Sequence, residues 1–309
     1  MIHDELLCAI CTGIKIESNR RMQAKKEIKD MKAELVTIKT KDDVLLHGAF
    51  YEGNLETAVI VMHGSQMNFY MGLGSFLPSL MAEQGYSCLT ANFRGHDVAT
   101  APDGYSRKII GSIYDYFPDC VLDIEALLEF VHMRGYKRII LVGHSQGVFK
   151  ILYAQGKLQD KTVAGMALVS PPPSAAEMTI FLVGEKEYER ALAEARQAVQ
   201  NNNQYQLIVS PARGNLPFVF SAFTYISFCD NEIPVDARHL CRQITTPLLV
   251  TRGTLDLPPV TKELVESIKE NCPRPDRCRL VELKGASHLY NGHEKILSKT
   301  LIGWIETLN

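Results

Sequence analysis

The chain predicts an α/β protein built on one mainly parallel, twisted sheet with helices on both faces. Three observations point there. Runs such as Ala58-Val59-Ile60-Val61-Met62 are too short for helices and apolar at successive positions, as strands buried on both faces are. Such runs alternate with stretches of helical periodicity along most of the chain. A length of 309 residues, 46% hydrophobic and 22% charged, suits one large domain with an insertion better than two independent domains.

Residues 1–33 stand apart from this pattern. Arg20, Arg21, Lys25, Lys26, Lys29 and Lys32 make the stretch basic, with Glu17, Glu27 and Asp30 between them. A helical extension packed loosely on a domain spanning 34–309 is the expectation. The alternative is a docking element for a partner enzyme or a second copy of the chain, as in a homodimer; a membrane-surface role has little apolar face to support it. Leu6 to Ile10 is too short for a secretory leader and follows Asp4 and Glu5 rather than lysines, so none is expected. No run of about 18 apolar residues suggests a membrane span. A cytoplasmic location follows as the default. The eight cysteines are spread over the chain, which suits reduced thiols better than a disulfide scaffold. The pair Cys8 and Cys11 lacks a second pair at zinc-ligand spacing, so two cysteines on a helix face are preferred to a metal or redox site. A net charge of -2 and a pI near 6.5 provide no basic field for nucleic acid.

From Glu34 onward the elements follow in order. Leu35–Lys39 and Val44–Phe50 flank Lys41-Asp42-Asp43 and read as a hairpin. The buried strand ending at Met62 runs into His63-Gly64. A helix over about 73–84 leads to a strand over 87–93, and a longer helix over 114–133 puts Val121, Ile124, Leu127, Leu128 and Val131 on one face. Strand Arg138–Val142, a helix from Gln146 and strand Val163–Val169 continue the alternation. It breaks at Pro171-Pro172-Pro173. The segment of about 172–245, with a charged helix over 185–199, a polar turn at Asn201-Asn202-Asn203 and an aromatic run from Phe218 to Phe228, has the size of a small lid over the sheet's carboxyl edge. Strand Pro247–Val250, a helix from Val260, strand Arg279–Glu282 and a helix over 294–308 complete the chain.

Chemistry concentrates in Gly143-His144-Ser145-Gln146-Gly147. Between a buried strand and a helix, G-x-S-x-G is the pattern of a nucleophile elbow: the glycines permit a turn too sharp for side chains, and the serine hydroxyl emerges at the sheet edge. A serine hydroxyl is a poor nucleophile at neutral pH and needs a base. In the expected order Ser, acid, His, the candidates are Asp256, after the strand ending at Val250, and His288, after the strand ending at Glu282. His293, five residues later and at the expected start of a helix, is the rival base. The oxyanion that forms during attack needs donors. The backbone N–H of Gln146 supplies one, and that of Ser65, with Gln66 next, supplies the other, since Gly64 lets this loop come close.

Together His63-Gly64-Ser65, Asn92-Phe93-Arg94-Gly95, the elbow, Gly253-x-x-Asp256 and Gly285-x-x-His288 resemble the α/β-hydrolase superfamily over roughly residues 34–309. The resemblance implies about eight strands, a Ser-His-Asp triad and a lid. Two departures stand out. The oxyanion loop is not the H-G-G-G of one lipase and esterase branch. Asn92 stands where Asp is frequent, and Arg94-Gly95 continues as His96-Asp97. Either His96 and Asp97 face the pocket or they form a salt-bridged loop. Gln66, His96 and Phe223 are the candidate substrate contacts.

The expected activity is hydrolysis of a carboxylic ester, with an apolar or aromatic small-molecule acyl substrate suggested by the aromatic run. Thioester hydrolysis in a biosynthetic pathway is the close alternative, and C–C and amide hydrolysis run on the same triad. A small-molecule receptor that kept the fold is the alternative of a different class. No cofactor or metal is needed. Gly72-Leu73-Gly74 lacks the third glycine of a dinucleotide site, and His293-Glu294 lacks a second histidine at zinc-protease spacing. An aspartate nucleophile is excluded by Ser145.

Overall fold

The computed structural model describes residues 32–103, 108–211, 217–230 and 234–308. Ten strands form among them: β1 (Ala33–Lys39), β2 (Leu45–Tyr51), β3 (Thr57–Met62), β4 (Ser87–Ala91), β5 (Arg138–His144), β6 (Val163–Val169), β7 (Leu207–Pro211), β8 (Pro217–Ser221), β9 (Leu248–Leu255) and β10 (Cys278–Ser287). Eight of them make one sheet in the order β1-β2-β4-β3-β5-β6-β9-β10. The β1–β2 and β2–β4 pairs are antiparallel and all others parallel.

Residue chemistry explains the layering. Every residue of β3 and β4 is buried, and β5 and β6 nearly so, because helices cover both faces. An aliphatic side chain fully removed from water contributes about 1.5–3 kcal/mol, so a polar residue in these strands would forfeit that contribution. Alternate residues feed two cores. Ile60, Leu89, Leu141 and Leu168 pack with α2 (Cys120–Met133) and α3 (Gln146–Leu158). Val59, Cys88, Val142 and Val169 pack on the other face, with α1 (Leu77–Ala82) and α8 (Glu294–Ile305).

Several helices start later than their periodicity predicts. The helix expected over 73–84 divides into a 3₁₀ turn, Gly72–Ser75, and α1, which starts beside Pro78. The helix expected from Tyr114 begins as two 3₁₀ turns, and α2 follows Pro118. Proline lacks an N–H and is tolerated in a first helical turn, so each proline marks a start that apolar spacing alone does not show. The helix expected from Val260 is α7 (Lys262–Asn271), and the last helix ends at Ile305, short of the expected 308. β1 already includes Ala33, one residue before the expected boundary, while residues 1–31 of the expected helical extension, with Cys8 and Cys11, lie outside the described residues.

Between β6 and β9 the chain forms α4 (Ala175–Val183), α5 (Glu185–Gln200), the antiparallel pair β7–β8 and α6 (Ala222–Cys229). α5 and the turn after it match the expected helix and Asn201-Asn202-Asn203. α4 and the strand pair are additional. α4 is fixed by a capping box in which Ser174 Oγ accepts from Glu177 N–H and the Glu177 carboxylate accepts from Ser174 N–H, each at 3.0 Å. Among the described residues no helix is long and apolar enough to cross a membrane, and no group of three His, Cys, Asp or Glu is arranged to hold a metal ion. Cys88, Cys120, Cys229, Cys241, Cys272 and Cys278 are free thiols.

Candidate active site

Ser145 stands between β5 and α3 with φ 52° and ψ -123°. A side chain forced into such a region costs about 1–3 kcal/mol, so its neighbours must hold it. They do so by closeness. A Cβ on Gly143 would come within 2.7 Å of Gly147 O, and one on Gly147 within 2.6 Å of His63 O. Only glycine at both positions lets strand, helix and neighbouring loop meet. Ser145 N–H donates to Val169 O at 3.0 Å, tying the elbow to β6.

The loop after β3 lies against this turn. A Cβ on Gly64 would sit 3.2 Å from Ser145 Cβ. His63 fixes the loop from below. Its Nε2 accepts from Phe93 N–H at 3.1 Å, which leaves Nδ1 to donate to Gly64 O at 2.8 Å. Full burial pushes this imidazole down to about 3, so it stays neutral and keeps that tautomer.

Asp256 and His288 meet because of strand register. β9 and β10 run farther than their apolar cores suggest, to Leu255 and Ser287, and these two residues pair across the ladder after an irregularity that begins at Leu283. The residues just after the two strands are Asp256 and His288, and His288 Nδ1 lies 2.6 Å from Asp256 Oδ1. Gly253 permits the approach, since a Cβ there would fall 2.0 Å from Ala286 O. Burial pushes the Asp256 carboxyl up, but hydrogen bonds from His288, Ser170 and Leu257 N–H outweigh it and hold the group below its ordinary value.

Two supporting residues were not found by sequence reasoning. Ser170 Oγ donates to Asp256 Oδ2 at 2.5 Å and lies 3.0 Å from the hydroxyl of buried Tyr290. His144, at the variable position of the elbow, has its Nε2 2.8 Å from His288 O. That carbonyl can only accept, so His144 donates, and burial together with the nearby His288 ring pushes its pKa down to about 3. His144 therefore links the Ser145 turn to the His288 loop directly. A position called x in a motif carries no signal of this kind. Among the described residues no hydrogen bond joins Ser145 Oγ to the His288 ring; in unliganded sites such bonds are often long and tighten on substrate binding. The rival base His293 stands at the N-terminus of α8 without a side-chain capping bond, with Nδ1 3.3 Å from Asn291 O.

Ser65, Ser145 and Gln146 line a cavity of about 120 Å³. Met178, Thr179 and Leu182 of α4, Phe218 and Phe220 of β8, and Tyr225 and Phe228 of α6 also line it. The three candidate substrate contacts lie elsewhere. Phe223 faces out of the cavity and stacks on Tyr116 at 4.2 Å, because the helical turn that brings Tyr225 and Phe228 inward carries it away. Gln66, at φ 56°, is exposed outside the lining. His96 is buried, with Nδ1 2.7 Å from Asp97 Oδ2, while Asn68 donates to the other Asp97 oxygen at 2.9 Å. Burial holds the His96 imidazole below its ordinary value, so the loop after Arg94 is closed by hydrogen bonds of its own and does not line the cavity. Asn92 in turn accepts from Phe69 N–H at 2.8 Å, a task a neutral amide performs without burying a charge.

A sequence profile of the alpha/beta hydrolase family matches residues 44–295. No curated protein matches the chain. Among solved structures, Est1E from Butyrivibrio proteoclasticus with bound ferulic acid is 17% identical, with a TM-score of 0.64 over 88% of this chain and 98% of that one. The esterase Pf2001 of Pyrococcus furiosus is 17% identical, with a TM-score of 0.57 over 90% and 91%. The alpha/beta hydrolase GrgF from Penicillium sp. sh18 is 16% identical, with a TM-score of 0.67 over 89% and 98%. At these identities the likeness concerns the fold.

Proposed function

Because this chain belongs to the alpha/beta hydrolase family, we propose that it is a serine hydrolase cleaving a carboxylic ester of an apolar or aromatic acid through an acyl-enzyme. The observation that carries the reading is the 2.6 Å contact between His288 Nδ1 and Asp256, at the sheet edge where Ser145 opens into a largely apolar cavity. Family and fold alone do not give an activity.

In the proposed reaction Ser145 Oγ attacks the ester carbonyl carbon while His288 Nε2 takes its proton. Asp256 keeps the imidazole in the tautomer that has Nε2 free and stabilises the imidazolium that forms. The backbone N–H groups of Gln146 and Ser65 bind the oxyanion; one such donor contributes about 3 kcal/mol in other serine hydrolases. Collapse breaks the bond to the alcohol oxygen, which receives the proton from His288. Water, activated by the same imidazole, then attacks the acyl-enzyme and releases the acid. His144 and Ser170 are positioning residues in this scheme, since each acts through a neighbour. The apolar walls favour an uncharged acyl group, because a charge moved there loses its water without compensation.

Intact-mass spectrometry after exposure to a fluorophosphonate tests the reading. One adduct on the wild type and none on Ser145→Ala is the expected result. An unlabelled wild type would sink the proposal and favour a ligand-binding role. A parallel panel of p-nitrophenyl esters and acyl thioesters separates esterase from thioesterase activity.

A further inference from the structure

Away from the candidate active site, three of the described thiols stand together where α7 leads into β10. Cys241 opens the 3₁₀ turn Cys241–Gln243, Cys272 follows the last residue of α7, and Cys278 is the first residue of β10. The sulfurs of Cys241 and Cys272 share one neighbour, lying 3.4 and 3.1 Å from Ile268 O. All three residues are at most 5% exposed and belong to one core cluster. Among the described residues no group of three such side chains is arranged to hold a metal ion. What their closeness offers is chemistry between sulfurs.

A buried thiol ordinarily packs as a small, inert hydrophobe. Two features set Cys272 and Cys278 apart. Residues 273–277, which join them, are exposed throughout. Cys278 also lines a surface pocket of about 290 Å³, together with Asp276, Arg277 and Arg279. The two arginines give this pocket a cationic rim, which draws small anions toward the sulfur. The two sulfurs are themselves hydrogen-bonded to each other. Hydrogen bonds from the Cys241 and Cys278 thiols hold Cys272 below the ordinary thiol value, and its negative charge together with burial pushes Cys278 up. The pair is thus a thiolate held by a thiol.

We propose that Cys272 and Cys278 form a reversible thiol–disulfide site, oxidised by a small anionic disulfide, that fastens the start of β10 to the end of α7. The Cys272 thiolate attacks one sulfur of the reagent, and the first reagent thiolate leaves. Cys278 then attacks the Cys272 sulfur of this mixed disulfide, and the second leaves. One released thiolate takes the Cys278 proton and the other a proton from water. The protein has lost two electrons, and the reagent has become two thiols. Excess thiol runs both steps backwards. The bridge closes the exposed turn 273–277 and restricts the unfolded chain, so it stabilises the fold. None of this depends on the hydrolase reading.

Oxidised glutathione is the probe. Folded wild-type protein is incubated with it, remaining thiols are blocked in acid, and linked peptides are identified by mass spectrometry. A link between Cys272 and Cys278 that dithiothreitol removes is the expected result, and this readout needs no variant. Mapping by peptide keeps the Cys8 and Cys11 pair out of it. A link through Cys241 instead, or Cys272 and Cys278 left unlinked, overturns the proposal. Cystamine, a cationic disulfide, should form the bridge about tenfold more slowly, and an equal or faster rate would remove the cationic rim from the site. The thermal midpoint of the bridged protein should lie about 5 °C above that of the reduced form. Cys278→Ser should show no such rise after the same treatment. Equal midpoints for the bridged and reduced wild type would overturn the fastening of β10.

Discussion

Ser287 on β10 stands opposite Leu255 on β9, and this pairing sets His288 beside Asp256. The contact is a product of register: each residue is the first to leave its strand. Asp256→Asn keeps the shape but offers an amide to Nδ1 and favours the wrong imidazole tautomer. A fall in kcat of about 10,000-fold is expected, with an unchanged circular dichroism spectrum. Steady-state kinetics on a p-nitrophenyl ester would measure it, and a loss below tenfold would remove Asp256 from the proposed role.

Register also depends on Gly253. A Cβ there would lie 2.0 Å from Ala286 O, which is backbone and cannot swing aside. Gly253→Ala is expected to push β9 and β10 apart, costing most of the activity and lowering the urea midpoint. Wild-type midpoint and kcat in this variant would contradict the close approach.

Ser170 donates to the Asp256 oxygen that His288 does not use. Hydrogen bonds to charged groups contribute about 1.5–3 kcal/mol, so Ser170→Ala should lose stability of that order at pH 7. The sign with pH follows from the direction of the Asp256 shift. A carboxyl held below its ordinary value stabilises the fold above that value, and the contribution disappears as acid protonates it. Urea denaturation of both proteins at pH 7 and near pH 3 should show the gap closing in acid.

His63 and His144 are both buried neutral, with pKa values pushed from 6.5 down to about 3. Below 6.5 the unfolded chain binds a proton at each that the folded chain refuses. Stability complete above that value is therefore lost as pH falls toward 3, by roughly 1 kcal/mol per unit for each histidine. Between pH 7.5 and 5.5 the wild type should lose about 1 kcal/mol more than His144→Asn does. Equal slopes in denaturant titrations would show that His144 protonates in the folded state.

The cavity wall gives a prediction about chain length. Leu182→Trp adds bulk to a lining position on α4. Hydrolysis of p-nitrophenyl octanoate should fall about tenfold or more relative to the acetate, since a filled pocket excludes the longer acyl group. An unchanged octanoate-to-acetate ratio would mean that the acyl group does not occupy this space.

Much of the architecture was legible in the chain. The alternation of apolar runs and helical stretches dictates the parallel sheet, and Gly143 and Gly147 mark the elbow because only glycine fits there. That Asp256 and His288 come together was legible from their order and strand positions. What was not legible depends on contacts between distant segments. Ser170 reaches Asp256 across 86 positions, and His144 reaches the His288 carbonyl across 144. Phe223 looked like Tyr225 in an aromatic run, but which face a short helix turns inward is set by its packing against Tyr116. α4 was hidden behind three prolines, although Ser174-x-x-Glu177 is a capping-box pattern that could have revealed it.

Among the described residues β10 has a single neighbour in the sheet, whereas β5 lies between β3 and β6. The strand that carries His288 is therefore bound to the sheet along one side, and the strand that leads to Ser145 along two. Edge strands open at lower free energy than central ones. On slow heating, turnover should vanish while most of the helix and sheet signal persists, and return on cooling if β10 re-zips against β9. On the proposed reading, the nucleophile Ser145 stands where the sheet should melt last, and its base His288 where it should let go first.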